Sequence, residues 1–156
     1  MREAAYNLIG PVEDAVVLDL FAGSGAMGLE ALSRGARRCV FAESDRAACR
    51  VITANLEKLR LTGAVVHCRD AFGVLREEHV AGRSYDLVLC DAPYEGYDGI
   101  EQTLQRLLSP VLGHAGLLVV ETAARTEPTF DLEQVTSRRY GSARLTLYRH
   151  PASPGK

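Results

Sequence analysis

Apolar runs rich in strand-forming residues alternate with segments of helical period along most of the chain. The runs that predict strands are residues 15–20, 38–43, 64–68, 85–90 and 116–121. Near-continuous apolar strands of this length are typical of a parallel sheet covered on both faces, and strands that alternate with helices form right-handed βαβ units. The pattern therefore predicts an α/β fold with a mostly parallel sheet.

Two apolar stripes at helical spacing predict helices that pack on this sheet. Their residues are Ala48, Val51, Ile52, Leu56 and Leu59 in the first helix, and Ile100, Leu104, Leu107 and Leu108 in the second. Asp45 precedes the first helix as a candidate cap, and Asp98 or Gly99 precedes the second.

The pattern changes near the end of the chain. Residues 134–139 and 143–148 alternate between polar and apolar side chains, and a turn-forming segment at residues 140–142 separates them. This arrangement predicts an antiparallel hairpin after the parallel strands. We expect one domain over residues 1–150 and a disordered polar tail over residues 151–156.

Length and composition narrow the class of protein. The 156 residues fit a single domain, and a content of 47% hydrophobic and 24% charged residues is that of a globular protein. The four cysteines form no CxxC pair, and His67 and Cys68, as strand neighbours, point to opposite faces, so we predict free thiols, no metal site and a cytoplasmic location. No apolar run approaches the roughly 18 residues that span a bilayer.

Acidic residues lie at or just after the ends of four successive predicted strands. They are Asp19, Glu43, Asp70 and Asp91. One such acid is usually a helix cap or a solvated turn residue, but the carboxyl ends of parallel strands meet at one edge, where open α/β sheets bind ligands. The row therefore predicts a binding site at this edge of the sheet.

Residues 23–28, GSGAMG, satisfy the GxGxxG pattern of dinucleotide-binding enzymes, and Glu43 follows near the spacing of their ribose-binding acid. A nicotinamide-dependent dehydrogenase is thus an alternative. However, like charges about 4 Å apart repel by about 4 kcal/mol at an effective dielectric constant of 20, and a pyrophosphate would lie near Asp19 and Asp91. An adenosine that carries a sulfonium and an amino group suits the acidic edge better, with Glu43 accepting from the ribose hydroxyls and Asp70 from the adenine amine.

The string Asp91-Ala92-Pro93-Tyr94 follows the fourth strand. It could be a turn in which Pro93 ends the strand and Tyr94 covers the core. In the functional interpretation, a nucleobase stacks on Tyr94 while the Asp91 carboxylate and a backbone carbonyl accept hydrogen bonds from its exocyclic amine. Two acceptors favour the pyramidal amine, whose lone pair is free to attack a methyl donor.

Longer stretches of the chain resemble the RsmD-type 16S rRNA (guanine-N2)-methyltransferases. These belong to a larger group of amino-methyltransferases marked by Asp, Asn or Ser followed by Pro-Pro and Tyr or Phe. The similar stretches are residues 2–4 and 7–9, LDLFAGSGAMGLEALSRGA at 18–36, FAESD at 41–45, the string at 91–94, VVE ending at Glu121, and RRYGSARL at 138–145. The resemblance implies a Rossmann-like fold dependent on S-adenosylmethionine, with a seven-stranded, mostly parallel sheet. It also implies methylation of the N2 amine of a guanine in 16S rRNA within the small ribosomal subunit.

The resemblance and the strand ends together define the candidate site. The predicted catalytic residues are Asp91, Ala92, Pro93 and Tyr94, and the predicted cofactor-binding residues are Asp19, Phe21, Ala22, Gly23, Ser24, Gly25, Glu43, Ser44, Asp70, Ala71 and Asp91. Two alternatives stay open on the residues alone: an adenine-N6 or cytosine-N4 amino-methyltransferase acting on DNA or RNA, and a cofactor-binding protein that has lost catalysis.

The chain departs from the family pattern at two places. Ala92 stands where the family has its first proline, which predicts a less rigid turn and lower activity. Family members carry a β-rich segment, associated with rRNA engagement, before the part that resembles residues 2–4, so we expect weakened RNA binding. The basic residues expected to contribute are Arg34, Arg37 and Arg38 and, on the hairpin, Arg138, Arg139 and Arg144.

Overall fold

The computed structural model describes residues 1–93 and 99–151. Within these residues the helices are α1 (Arg2–Ile9), α2 (Ala26–Ser33), α3 (Arg46–Lys58), α4 (Ala71–Val80) and α5 (Ile100–Leu108). The strands are β1 (Val16–Leu20), β2 (Arg38–Ala42), β3 (Ala64–His67), β4 (Tyr85–Cys90), β5 (Leu112–Ala123), β6 (Glu133–Tyr140) and β7 (Ala143–Arg149). The predicted catalytic residue Tyr94, the candidate cap Asp98 and the tail after residue 151 lie outside the described residues.

The described strands form one seven-stranded sheet in the order β3-β2-β1-β4-β5-β7-β6. Strands β1 to β5 pair in parallel, whereas β7 pairs antiparallel with both β5 and β6. The predicted α/β fold, with a mostly parallel sheet and a C-terminal hairpin, is confirmed. The strand order reverses between β1 and β4, and a crevice for ligands is expected outside the carboxyl ends of these two strands.

The core lies on both faces of the sheet because successive strand residues point to opposite sides. Leu18 and Leu20 of β1 belong to the apolar cluster that includes the buried side chains of α4 and α5. Val17 belongs to the opposite cluster, which includes those of α1, α2 and α3. Asp19 points to the side of Val17 and therefore faces α2.

The predicted apolar face of α3 is partly wrong. Val51 is 46% exposed and Leu59 is 53% exposed, whereas Cys49 and Ile52 are buried. Leu59 follows the last helical residue, and Val51 lies on the other side of the helix from Cys49. The Asp45 cap is confirmed, since its side chain accepts the backbone N–H of Ala47 at 3.0 Å. For α5, the buried positions Ile100, Leu104 and Leu108 are as predicted, and Gly99 is the residue before the helix.

Strand β5 begins earlier than predicted and contains an irregularity. Tyr85 pairs with Leu112, but Leu87 pairs with Leu117. A Cβ atom on Gly113 would lie 2.9 Å from the carbonyl oxygen of Tyr85, and one on Gly116 would lie 2.7 Å from it. Glycine is therefore required where the chain passes this carbonyl group, and only the regular part of β5 has the apolar pattern of a strand.

Candidate active site

The end of β1 and the start of α2 hold the carboxylate of Asp19. This residue is 4% exposed, and its Oδ2 accepts the backbone N–H of Gly28 at 3.0 Å. A Cβ atom on Gly28 would lie 2.8 Å from Sγ of Cys39 and 2.9 Å from Oδ2 of Asp19. The last glycine of the predicted Gly-rich pattern therefore lets α2 pack closely against the sheet and hydrogen-bond the buried acid.

The turn between β1 and α2 adopts a left-handed backbone at three residues. The φ angles of Phe21, Gly23 and Gly25 are 55°, 58° and 79°. This region is open to glycine but costly for a residue with a Cβ atom, and such strain is concentrated at functional sites. The Phe21 ring packs edge-on against that of Phe72, with ring centroids 5.9 Å apart. Packing thus holds the turn in a shape that lets a ligand approach the backbone closely.

Helix α1 supports this turn from outside the sheet, a role that the sequence pattern did not reveal. Tyr6 is buried and its hydroxyl donates to the carbonyl oxygen of Met27, in the first turn of α2, at 2.6 Å. Arg34 lies over the Tyr6 ring at 4.9 Å and donates to Glu30 at 2.8 Å. Arg34, a predicted RNA contact, is therefore engaged in structural interactions.

The carboxylate of Glu43 joins the ends of β1 and β2. Its Oε1 accepts the backbone N–H of Gly23 at 2.8 Å, and its Oε2 accepts that of Asp45 at 2.8 Å. Each carboxylate oxygen has a second lone pair with which it can accept a further hydrogen bond. Glu43 is therefore preorganised to bind hydroxyl groups beside the Gly-rich turn.

The remaining predicted cofactor residues lie farther along the edge. Asp70 is the residue before α4, is exposed, and makes no capping hydrogen bond through its side chain. The Ala71 side chain is buried in the core, so only its backbone N–H, which has no acceptor within the helix, is suited to a ligand. Ser44 is exposed beside Glu43.

A cavity of about 280 Å³ lies over the ends of β1, β4 and β5. Its lining includes the predicted residues Asp19, Phe21, Ala22, Gly23, Ser24 and Asp91, together with Ala26, Met27, Leu89, Cys90, Val119, Glu121 and Leu145. The structure thus brings these predicted residues together. The predicted residues that do not line the cavity are Gly25, Glu43, Ser44, Asp70, Ala71, Ala92 and Pro93.

Glu121 is a cavity residue that our sequence analysis did not assign to the site. Leu20 pairs with Cys90, and Cys90 pairs with Val120. The residues that follow these partners are Phe21, Asp91 and Glu121, so the ends of β1, β4 and β5 are level with one another. The same rule that selected Asp91 from the end of its strand would have selected Glu121.

The string after β4 is described as far as Pro93. Asp91 is open to solvent at the mouth of the cavity, whereas Ala92 is 6% exposed and belongs to the core. A small apolar side chain at residue 92 is therefore compatible with the packing under the site. Its effect on activity stays a prediction.

Burial makes the site a poor environment for its own negative charges. Burial, together with the charges of Asp91 and Glu43, raises the pKa of Asp19 to about 8 despite the opposing effect of the Gly28 hydrogen bond. Burial also raises the pKa of Asp91, and burial together with the charge of Asp91 raises that of Glu121. A ligand that carries positive charge would relieve this repulsion.

We predict that Glu43→Ala weakens cofactor binding by about 1.5–3 kcal/mol, the usual contribution of hydrogen bonds to a charged group. Titration calorimetry with S-adenosylhomocysteine measures the change in dissociation constant. Asp45→Ala is the matched control, because it removes the α3 cap and leaves the Glu43 carboxylate in place. An unchanged dissociation constant in a folded Glu43→Ala variant would exclude Glu43 from the binding site.

No helix among residues 1–93 and 99–151 is long and apolar enough to cross a membrane. Over the same part of the chain, no three or more His, Cys, Asp or Glu side chains are grouped so as to hold a metal ion. All four cysteines are free thiols, and of these only Cys68 is exposed.

Comparisons with known proteins identify relatives of the chain. The chain is 33% identical to the candidate rRNA methyltransferase YlbH of Bacillus subtilis over 159 residues, which cover 96% of this chain and 84% of that protein. It is 40% identical to ribosomal RNA small subunit methyltransferase D of Escherichia coli over 95 residues, which cover 60% of this chain and 46% of that protein.

A solved structure of a candidate methyltransferase from Escherichia coli, yhhF, superposes with a TM-score of 0.84 at 32% identity, covering 97% of this chain and 86% of that one. The family described as "Conserved hypothetical protein 95" matches residues 1–149. The chain belongs to this family, that of the RsmD-type methyltransferases.

Proposed function

We propose that the chain transfers a methyl group from S-adenosylmethionine to the exocyclic N2 amine of a guanine in small-subunit (16S) ribosomal RNA. The observation that carries this proposal is the position of Asp91, at the mouth of a cavity that also contains Asp19 and the Gly-rich turn. The names of the relatives support an rRNA substrate. The guanine N2 amine is the finer step and rests on the family resemblance.

The cofactor fits the chemistry of the donors along the sheet edge. S-adenosylmethionine supplies an electrophilic methyl group on a sulfonium centre. Glu43 would accept hydrogen bonds from the ribose hydroxyls and Asp70 from the adenine amine. The raised pKa of Asp19 means that its ionised form lacks a compensating charge, and the cationic methionyl end of the cofactor would supply that charge and favour ionisation.

The residues after β4 would prepare the acceptor. An exocyclic amine is a weak nucleophile because its lone pair is conjugated with the ring. The Asp91 carboxylate and a backbone carbonyl at residue 92 would accept hydrogen bonds from its two N–H groups and favour a pyramidal nitrogen, while alignment with the methyl group would supply effective molarity. After methyl transfer the protonated amine is acidic, and it would lose its proton to Asp91 or to water.

The alternatives predict different ligands or products. A dehydrogenase would bind a pyrophosphate in a cavity lined by Asp91 and Glu121 as well as Asp19, and the ionised carboxylates among them would repel it. An adenine or cytosine amino-methyltransferase would use the same Asp91 chemistry on a different base, and a protein without catalysis would bind the cofactor and transfer nothing.

A cytoplasmic location, where ribosomes assemble and thiols stay reduced, agrees with the free cysteines.

We predict that S-adenosylhomocysteine binds the purified chain and that NAD does not, as measured by titration calorimetry. Binding of NAD without a response to S-adenosylhomocysteine would instead support the interpretation of the chain as a dehydrogenase.

We also predict that incubation with labelled S-adenosylmethionine and unmodified 30S particles yields N2-methylguanosine on nucleoside analysis. Label in N6-methyladenosine or N4-methylcytidine would redirect the proposal to another base.

A further inference from the structure

A second cavity, of about 420 Å³, adjoins the cavity over the Gly-rich turn. Asp91 and Glu121 line both cavities. The second cavity is otherwise lined by Ala92 and Pro93 after β4, by the end of β5 and the loop that follows it, and by Ser142 and Ala143 of the hairpin. The two cavities therefore have the residues Asp91 and Glu121 in common.

The order of the strands separates the predicted adenosine-binding residues from the second cavity. Glu43 ends β2 and Asp70 follows β3, which both lie on one side of the reversal between β1 and β4. Glu121 lies near the end of β5, on the other side. If the adenosine half of the cofactor binds on the β2 and β3 side, Asp91 after β4 lies next to the methyl group that is transferred. Glu121 on β5 then lies on the far side of that methyl group from the adenosine, where the acceptor binds.

The wall of the second cavity is braced by hydrogen bonds. The Thr122 hydroxyl donates to the carbonyl oxygen of Thr126 at 2.6 Å, and the Ala124 N–H donates to that of Ser142 at 2.8 Å. Arg144 donates to the carbonyl oxygen of Ala124 at 2.9 Å and to the Ser137 hydroxyl at 2.9 Å. Arg144, a predicted RNA contact, therefore holds the loop after β5 and preorganises the cavity.

We propose that the second cavity receives the acceptor base and that the Glu121 carboxylate selects guanine by accepting its ring N1–H. This inference rests on the proposed function. Guanine presents the N1–H donor directly beside its exocyclic amine, whereas adenine and cytosine present a ring nitrogen acceptor beside theirs. A carboxylate that faces this edge accepts a hydrogen bond from guanine and opposes the lone pair of the other two bases. Asp91 holds the amine, and Glu121 holds the neighbouring ring position.

The test compares two bases at the methylated position of a short RNA, once mass mapping of labelled RNA fragments has located that position. 2-Aminopurine keeps the exocyclic 2-amine of guanine but presents an acceptor at N1. We expect the wild type to favour guanine over 2-aminopurine in kcat/KM. In Glu121→Gln, we expect kcat/KM for guanine to fall about 10- to 100-fold, the effect of losing hydrogen bonds to a charged group. The preference over 2-aminopurine should shrink by a similar factor, because the amide also offers a donor.

Three further measurements keep the test decisive. Glu133→Gln removes an exposed carboxylate from the start of β6. It should leave kcat/KM unchanged for both the guanine and the 2-aminopurine RNA. Affinity for S-adenosylhomocysteine should stay within about twofold in Glu121→Gln, which also shows that the variant is folded. Ala143→Leu reduces the volume of the second cavity. This variant should have a higher KM for RNA and an unchanged affinity for S-adenosylhomocysteine.

The failures of the two proposals are distinguishable. If the wild type transfers no methyl group to guanine, the proposed function fails. If the wild type methylates guanine and Glu121→Gln keeps its preference over 2-aminopurine, the assignment of Glu121 is overturned. A loss of cofactor affinity with an unchanged base preference also overturns it, because Glu121 would then belong to the cofactor cavity.

Discussion

Asp91→Ala is expected to lower the single-turnover rate of methyl transfer by about a thousandfold, the scale seen when a preorganised polar group is removed from an active site. Affinity for S-adenosylhomocysteine should stay within a few-fold, because Asp91 also lines the second cavity, in which we place the acceptor base. Asp91→Asn keeps one carbonyl oxygen as an acceptor and should lose less activity. The single-turnover rate is measured with saturating RNA and labelled cofactor, and affinity by calorimetry.

An acid at the opposite end of the same strand offers a matched control. The Asp86 carboxylate accepts the backbone N–H of Val16 at 2.8 Å, far from the carboxyl ends of the strands. Asp86→Ala should therefore lower stability by about 1 kcal/mol and leave the methyl-transfer rate per folded molecule unchanged. If Asp91→Ala also keeps a normal rate per folded molecule, Asp91 is a turn residue and does not activate the amine.

Much of the fold could be predicted from the sequence because strand burial leaves a strong local signal. The ends of β1 to β4 were predicted to within one residue, and the hairpin to within one or two. Stretches that depend on tertiary contacts were not predictable in this way. Helix α1 has the role of holding Met27 through Tyr6, which no periodicity reveals, and the start of β5 depends on two glycines that pass the carbonyl group of Tyr85.

The candidate site also combines features that have a local sequence signal with features that depend on tertiary contacts. Acids at strand ends can be read from the sequence, and Glu121 was missed only because that rule was not applied to the fifth strand. The left-handed backbone of Phe21 could not be predicted, since aromatic residues favour extended conformations and the surrounding structure imposes this one. Arg144 shows why a cluster of basic residues in the sequence does not identify an RNA-binding surface. Its side chain donates a hydrogen bond to the carbonyl oxygen of Ala124 within the fold.

The second large effect concerns the pH dependence of stability. The folded-state pKa of Asp19 is about 8, whereas that of an unfolded aspartate is about 3.9. Between these values the folded chain holds a proton that the unfolded chain has released, so the contribution of Asp19 to stability falls as pH rises, by about 1.4 kcal/mol per pH unit. The loss is complete once pH exceeds the folded-state pKa.

Asp19→Asn should remove this dependence, because an amide does not titrate and its oxygen can still accept the Gly28 N–H. Between pH 5 and pH 8, the unfolding free energy of the wild type should fall by about 3–4 kcal/mol more than that of the variant. Urea denaturation at a series of pH values measures the difference, with Glu57→Gln, an exposed position on α3, as the control for loss of charge. Parallel profiles for wild type and Asp19→Asn would mean that Asp19 titrates alike in the folded and unfolded chain. The variant should also bind S-adenosylhomocysteine more weakly, since an amide cannot ionise to form the negative charge that the cationic end of the cofactor would favour.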